Sequence, residues 1–175
     1  NPAVDFAVMP SDSIKYPPPP ITMMSISIKT ELTKENQNSI TCIGFSYHTN
    51  VSVLKKTNNL LSEAQSCVAI RKLGEKLDPW PEKLLKEMET YSNDKNERNI
   101  CLNEKTILNW FIGKMGIIDP DIILGHNLVG FHVDMLLRRM KFLKIKHWSK
   151  VGRLNRLKYP RVQSGAGGLA ASLPE

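Results

Sequence analysis

The stretch DPDIILGHNLVGFHVDMLLRRM, residues 119–140, joins the pattern of a β-strand to that of an α-helix. A short apolar run at 122–124 ends at Gly125, as expected for a β-strand. Beyond the turn, apolar residues recur at the spacing of one helical face: Val133, Leu136, Leu137 and Met140. A strand that leads through a turn into a helix predicts an α/β fold.

The turn between Gly125 and Gly130 is a candidate site. Glycine at both ends lets the backbone reverse sharply, and in open α/β sheets ligands collect beyond the carboxyl ends of strands. Polar side chains are available there from His126, Asn127 and His132. The plainer alternative is that these three residues only cap and close the connection between strand and helix.

Upstream of this stretch, the sequence predicts an antiparallel meander of three strands. In the first strand, Met24, Ile26 and Ile28 share one face, while Ser25, Ser27 and Lys29 share the other. Residues 39–47 and 66–70 are the second and third predicted strands, and a polar turn precedes the second.

Two helices are predicted between the meander and the strand at 121–125. The first spans 80–91 with one apolar stripe made of Trp80, Leu84, Leu85, Met88 and Tyr91. A solvated loop is expected at 92–99, and Asn103 then caps a second helix that Gly116 ends. Its apolar residues are Ile107, Leu108, Phe111, Ile112 and Met115. The predicted class is mixed α/β, a mixed sheet flanked by helices.

The chain of 175 residues, 41% of them hydrophobic, is long enough for one core. Residues 1–20 are predicted to be an extended Pro-rich lead-in, 21–161 the domain, and 162–175 a flexible Gly/Ala/Ser-rich tail. The chain opens on Asn and closes on that tail, so we expect a segment of a longer protein. No apolar run is long enough to cross a bilayer, and no membrane partner is predicted.

Cysteine usage points to a reducing compartment. The residues Cys42, Cys67 and Cys101 are odd in number and widely separated, and no CxxC pair occurs. Neither a disulfide framework nor a zinc ribbon is therefore predicted, which favours the cytosol or the nucleus.

Positive charge is concentrated in one stretch, residues 138–161, which holds 10 of the 24 Lys and Arg and no acidic residue. Such a block, interleaved with aromatic residues, suits a phosphate backbone. The candidate nucleic-acid contacts are Arg138, Lys141, Lys144, Lys146, Trp148, Lys150, Arg153 and Arg156. Alternatively, the stretch is a solvated face whose aromatic residues anchor it to the core.

Three stretches together resemble a known family. DPDIILGHNLVGF at 119–131, KHWSKVGRLNR at 146–156 and PPPPITMMSISIKTEL at 17–32 are similar to the exonuclease-like domain of the alpha branch of family B replicative DNA polymerases. The GHN...F turn is general to family B, whereas HWSK.GRL is more specific to the alpha branch. The resemblance implies a ribonuclease H-like fold that is incomplete at the C-terminus.

The resemblance also implies a site. In proofreading relatives, Asp-x-Glu on the first strand and Asn-x-x-x-Phe-Asp at the turn hold two metal ions that cut the 3′ end of a mismatched strand. A third motif, Tyr-x-x-x-Asp, lies beyond the end of this chain. Asn127 and Phe131 are retained here, but Ser27, Lys29 and His132 occupy the three carboxylate positions. Lysine is a fixed cation and imidazole suits Mg²⁺ poorly, so we predict neither a metal site, a cofactor nor a catalytic residue in this segment.

For the parent protein, the resemblance implies a nuclear DNA polymerase that extends RNA–DNA primers with deoxynucleotides. It implies Mg²⁺ at a polymerase site outside this chain, and primase and accessory subunits as partners. The segment itself would be a structural scaffold that contacts nucleic acid.

Three alternatives remain open. The first is an active 3′–5′ exonuclease of another family B branch that uses Asp119, Asp121 and Asp134 as substitute ligands. The second is a free-standing nucleic-acid-binding domain, and the third is a transition-metal site at His126, His132 and Asp134. Against the first, Asp119 and Asp121 precede the strand and should lie at its far end from the turn. Asp134 has the favourable i,i+4 spacing for an ion pair with Arg138.

Overall fold

The computed structural model describes residues 18–54, 63–71, 82–90 and 95–160. Within these ranges, five strands form one sheet in the order β4-β3-β2-β1-β5. The strands are β1 Ile21–Leu32, β2 Asn38–Val51, β3 Gln65–Arg71, β4 Asn96–Cys101 and β5 Ile122–Leu124. The helices are α1 Glu82–Thr90, α2 Glu104–Ile118 and α3 Asp134–Phe142, with a π-helical turn at Leu128–Val133 and a 3₁₀ turn at Trp148–Val151.

The sheet is mixed, as predicted. Strands β1, β2 and β3 form the predicted antiparallel meander, whereas β5 pairs with β1 in parallel. The alternation along β1 is confirmed, because Met24, Ile26 and Ile28 are buried while the intervening residues are exposed. The buried face packs with α2 and α3 around the fully buried Leu108, Phe111 and Leu136.

Strand β4 corrects the prediction of a solvated loop over 92–99. Residues 96–99 belong to this strand, which pairs in parallel with β3 at the sheet edge, and 92–94 lie outside the described residues. Its polar side chains are compatible with an edge strand because they find partners there. Glu97 accepts hydrogen bonds from Trp110 and Lys114 of α2.

The start of α2 is as predicted, but its end is not. The side chain of Asn103 accepts a hydrogen bond from the backbone N–H of Thr106 at 2.9 Å. Helix α2 continues beyond Gly116 to Ile118, which packs against the core. Asp119 ends the helix in the left-handed conformation, with φ 44°, and its N–H donates to the carbonyl of Met115.

The predicted turn from Gly125 to Gly130 is shorter than expected. Asn127 adopts φ 52°, and its carbonyl accepts from the N–H of Phe131 at 2.9 Å. Helical backbone therefore begins at Leu128, as a π-helical turn that leads directly into α3. Such π-helical turns occur frequently at functional sites.

Helix α1 confirms the helix predicted over 80–91, and Met88 on its apolar stripe is buried. The ends of that prediction, Trp80 and Tyr91, lie outside the described residues, as do 1–17 of the Pro-rich lead-in and the tail at 162–175. In the part of the chain that is described, no helix has the length and apolarity needed to span a bilayer.

Candidate functional site

Ser27 and Lys29 project from the face of the sheet opposite α2 and α3. Both side chains are exposed, whereas the side chains of the neighbouring residues Ile26 and Ile28 are buried. A shallow cavity of about 330 Å³ crosses this open face. Small side chains line much of it: Ser25, Ser27, Gly44, Ser46, Ser66 and Val68. Ser27, one of the two first-strand positions in the family resemblance, is therefore open to a ligand.

The turn after β5 lies directly against β1. An ideal Cβ at Gly125 would lie 3.2 Å from the carbonyl oxygen of Ile26 and 3.4 Å from the ring of His132. A side chain at Gly130 would overlap the amide of Asn127. Glycine at both positions thus allows the turn to bring His132 close to β1, and Phe131 packs edge-on against that imidazole.

His132 is only 8% exposed. Burial lowers the pKa of its imidazole, and His126 and Lys29 lower it further through charge repulsion. Its Nδ1 is buried without a hydrogen-bond partner in the described part of the chain. The repulsion by Lys29 and the packing of Gly125 against both the His132 ring and the carbonyl oxygen of Ile26 place His132 near the first strand.

The side chains present do not fit a pair of hard divalent cations. Within residues 18–54, 63–71, 82–90 and 95–160, no three His, Cys, Asp or Glu side chains are placed to share a metal ion. Lys29 adds a positive charge where such ions need carboxylates. A metal-ligating histidine normally donates its second nitrogen to a partner, and Nδ1 of His132 has no such partner among the described residues.

The carboxylates considered as substitute ligands have other contacts. Asp121 accepts from the N–H of Thr22 at 2.7 Å and pairs with Arg153 at 2.8 Å. Asp119 also pairs with Arg153. The carboxylates of Asp119 and Asp121 precede β5 and lie at the end of that strand opposite to the turn, as predicted. The predicted ion pair between Asp134 and Arg138 is present at 2.8 Å.

Most cations of the basic stretch 138–161 that the structure describes are exposed. The exposed side chains among the candidates are Lys141, Lys144, Lys146, Lys150, Arg153 and Arg156. Arg153 is engaged by Asp119 and Asp121, and Arg138 by Asp134.

Of the candidate contacts, Arg138 and Lys141 lie at i,i+3 spacing on α3, whereas Lys144 lies beyond the end of that helix. Helix α3 ends at Phe142, and Lys144 adopts φ 53°. The N–H of the buried Ile145 donates to the carbonyl of Met140, which closes the helix as a C-terminal cap. Lys144 is therefore carried off the helical face.

Trp148 is buried in this structure, with 8% exposure, and its ring stacks on Tyr159 at 4.0 Å between centroids. In this arrangement its face is not open to a base. The stack anchors the basic stretch to the core, as the alternative for these aromatic residues proposed.

A buried ion pair was missed by the sequence reasoning. Arg139 donates to the two carboxylate oxygens of Glu104 at 2.7 and 2.6 Å. Glu104 also accepts from the N–H of Ile40 at 2.8 Å and the hydroxyl of Ser39 at 2.9 Å. Burial alone would raise the pKa of Glu104, but these hydrogen bonds lower it below its ordinary value. The available signal was the position of Arg139 three residues after Leu136, on the apolar side of α3.

The architecture and the position of the turn define a class of protein. The mixed sheet with helices on one face is consistent with a ribonuclease H-like exonuclease domain, and the family described as the exonuclease domain of family B DNA polymerases matches residues 3–170. The chain therefore belongs to that family. Both the predicted fold class and the family resemblance are confirmed.

The chain is similar to one subunit from several organisms. The chain is 33% identical over 151 residues to the DNA polymerase alpha catalytic subunit of Oxytricha trifallax, covering 86% of this chain and 10% of that protein. Identity to the corresponding subunit of Xenopus laevis is 32% over 155 residues, and to that of Mus musculus 33% over 151 residues, again with 86% and 10% covered. The chain thus spans about a tenth of the length of these relatives.

Proposed function

We propose that the chain is the exonuclease-like domain of a DNA polymerase alpha catalytic subunit and that it has lost proofreading chemistry. The observation that carries this proposal is the pair Ser27 and Lys29 on the open face of β1, beside the buried His132. Two-metal cleavage needs carboxylates that share cations ~3.5–4 Å apart. A hydroxyl, an ammonium and an imidazole of lowered pKa provide no anionic ligand there.

In this proposal the domain is a structural scaffold that contacts nucleic acid through the basic stretch. Exposed Lys141, Lys144 and Lys146 would neutralise phosphates, and Lys150 and Arg156 would extend the contact. The ion pairs of Arg138 and Arg153 and the stacked Trp148 would hold the stretch in place, with Arg138 and Arg153 still able to contribute positive potential.

For the whole protein we propose the activity named in its relatives' descriptions, DNA synthesis by a DNA polymerase alpha catalytic subunit. It would extend RNA–DNA primers in the nucleus, with Mg²⁺ bound at a polymerase site outside this chain. Primase and accessory subunits would be its partners. The segment itself would supply no catalytic group.

The test is a nuclease assay on the 175-residue chain with end-labelled single-stranded DNA and Mg²⁺ or Mn²⁺. We expect no cleavage above a buffer control. A triple variant, Ser27→Asp with Lys29→Glu and His132→Asp, measures whether restored carboxylates are sufficient for metal binding. Calorimetric Mn²⁺ binding by the triple variant alone would support the proposal.

Cleavage by the unmodified chain would overturn the proposal and favour an active exonuclease. Asp119→Asn, Asp121→Asn and Asp134→Asn variants would then identify the carboxylate responsible. Because Asp134 pairs with Arg138 on the helix surface, Arg138→Met serves as the control for loss of that pair without loss of a carboxylate.

A further inference from the structure

The loop at 152–158, which follows the 3₁₀ turn, exposes two leucines. Leu154 and Leu157 are 66% and 95% exposed, and each directly follows an arginine in the sequence RLNRLK. We propose that loop 152–158 and the cavity beside it dock a peptide segment of a partner protein that combines acidic and large apolar residues. This goes beyond the proposed function, because phosphate contacts account for the cations of the basic stretch but not for exposed leucines.

A cavity of about 650 Å³ opens beside the loop, within the range typical of ligand pockets. Its apolar lining comes from three elements, α2, β5 and the 3₁₀ turn: Met115, Ile123 and Val151. Gly116 and Arg153 also line it, and each is directly followed by an exposed apolar residue, Ile117 and Leu154. Large apolar side chains of a partner therefore have a recess to enter and exposed apolar surface at its rim.

Contacts at both ends hold the loop in place. At its start, Arg153 pairs with Asp119 and Asp121, each at 2.8 Å. Directly after its end, the ring of Tyr159 stacks on the buried Trp148. The backbone that presents the leucines is therefore tethered before a partner binds, which lowers the entropic cost of docking.

Charge favours an acidic partner. The cavity lining holds two carboxylates and two cations, which balance one another: Asp119, Asp121, Lys150 and Arg153. Exposed Arg156 and Lys158 add positive charge on the loop, and the stretch 138–161 contains no acidic residue to offset it. Carboxylates that flank the apolar residues of a peptide complement this charge, whereas a basic peptide is repelled.

A single strand of nucleic acid is the competing occupant. Sequence-independent binding of single strands combines cations with aromatic faces on which bases stack. Trp148 is buried in its stack with Tyr159, and the side chains that the loop exposes most fully are leucines. The loop thus favours a protein partner over bases.

The experiment selects ligands for the 175-residue chain from a library of short random peptides displayed on phage, at constant ionic strength. We expect the enriched peptides to combine Asp or Glu with Leu, Phe or Trp, and their fluorescent synthetic copies to bind with dissociation constants on the order of micromolar. Leu154→Ser with Leu157→Ser should weaken this binding by about tenfold or more. The matched control is Leu32→Ser with Leu102→Ser, which removes two leucines of similar exposure, 64% and 91%, and should leave binding unchanged.

The control leucines lie away from the cavity. Leu102 precedes α2, whereas the cavity adjoins the end of that helix, and Leu32 ends β1, whereas Thr22 near the start of that strand contacts Asp121. A change in both double variants would therefore reflect general loss of surface apolarity and would count against the site.

A copy of the selected peptide with its apolar residues replaced by serine separates docking from charge attraction alone. Equal binding of the two copies, no enrichment of peptides that combine acidic and apolar residues, or unchanged affinity in Leu154→Ser with Leu157→Ser would overturn the inference. The same holds if that variant loses affinity equally for a short oligothymidylate, because the leucines would then belong to the nucleic-acid contact.

Discussion

Removing the guanidinium of Arg139 should destabilise the domain severely, because it separates a buried ion pair. Arg139 and Glu104 side chains are 10% and 8% exposed, and two short hydrogen bonds join them. In Arg139→Met, the carboxylate of Glu104 stays buried with only Ile40 and Ser39 as donors. Breaking one side of such a pair costs about 3–5 kcal/mol.

That loss is a large part of the total for a domain of this size, whose free energy of unfolding is typically ~5–15 kcal/mol. The assay is urea unfolding followed by circular dichroism at pH 7. Arg138→Met is the matched control, because its neighbouring pair with Asp134 is more exposed and should contribute only ~0.3–0.5 kcal/mol.

A double-mutant cycle tests whether the loss belongs to the pair. Glu104→Met with Arg139→Met removes both charges, leaving mainly the N–H of Ile40 without its acceptor, so the double variant should be less destabilised than the sum of the singles by about 1–3 kcal/mol. The reasoning would be refuted if Arg139→Met unfolded within about 1 kcal/mol of Arg138→Met, or if the two single effects simply added.

Three further predictions concern acid, the cap of α2 and the basic stretch. Folding lowers the pKa of Glu104, so its ionised carboxylate stabilises the domain above its unfolded pKa of ~4.3, and this stabilisation is lost as pH falls through the lower folded pKa. In acid unfolding curves, the free energy of unfolding should therefore fall more steeply below about pH 4.3 in the parent chain than in Glu104→Gln. Asn103→Ala removes the acceptor for Thr106 and should lower the free energy of unfolding by about 1 kcal/mol in the same urea assay, whereas Asn109→Ala on the exposed side of α2 should not. For Lys141→Glu with Lys146→Glu, the slope of log affinity for single-stranded DNA against log salt concentration should decrease in magnitude by roughly 1–2, because each lost phosphate contact removes ~0.7 from that slope. An unchanged slope would exclude these lysines from the interface.

Local patterns were sufficient where the determining interaction lies within a few residues. The alternation of Met24, Ile26 and Ile28 fixed which face of β1 is buried, and with it the exposure of Ser27 and Lys29. These interactions have the period of a single strand, so no knowledge of distant residues was needed. The Asn103 cap and the ion pair between Asp134 and Arg138 were predictable for the same reason.

By itself, then, the sequence determined the meander, the strand–turn–helix unit and the residues at the three motif positions. Tertiary structure alone decided that the polar segment 96–101 is a strand, because its backbone hydrogen bonds are supplied by β3. It also decided which of two adjacent arginines is buried: Arg139 meets Glu104, 35 residues away along the chain, whereas Arg138 meets a neighbour on its own helix. The physical reason is that a polar group can be buried only where distant parts of the chain provide its partners, and local sequence does not specify those partners.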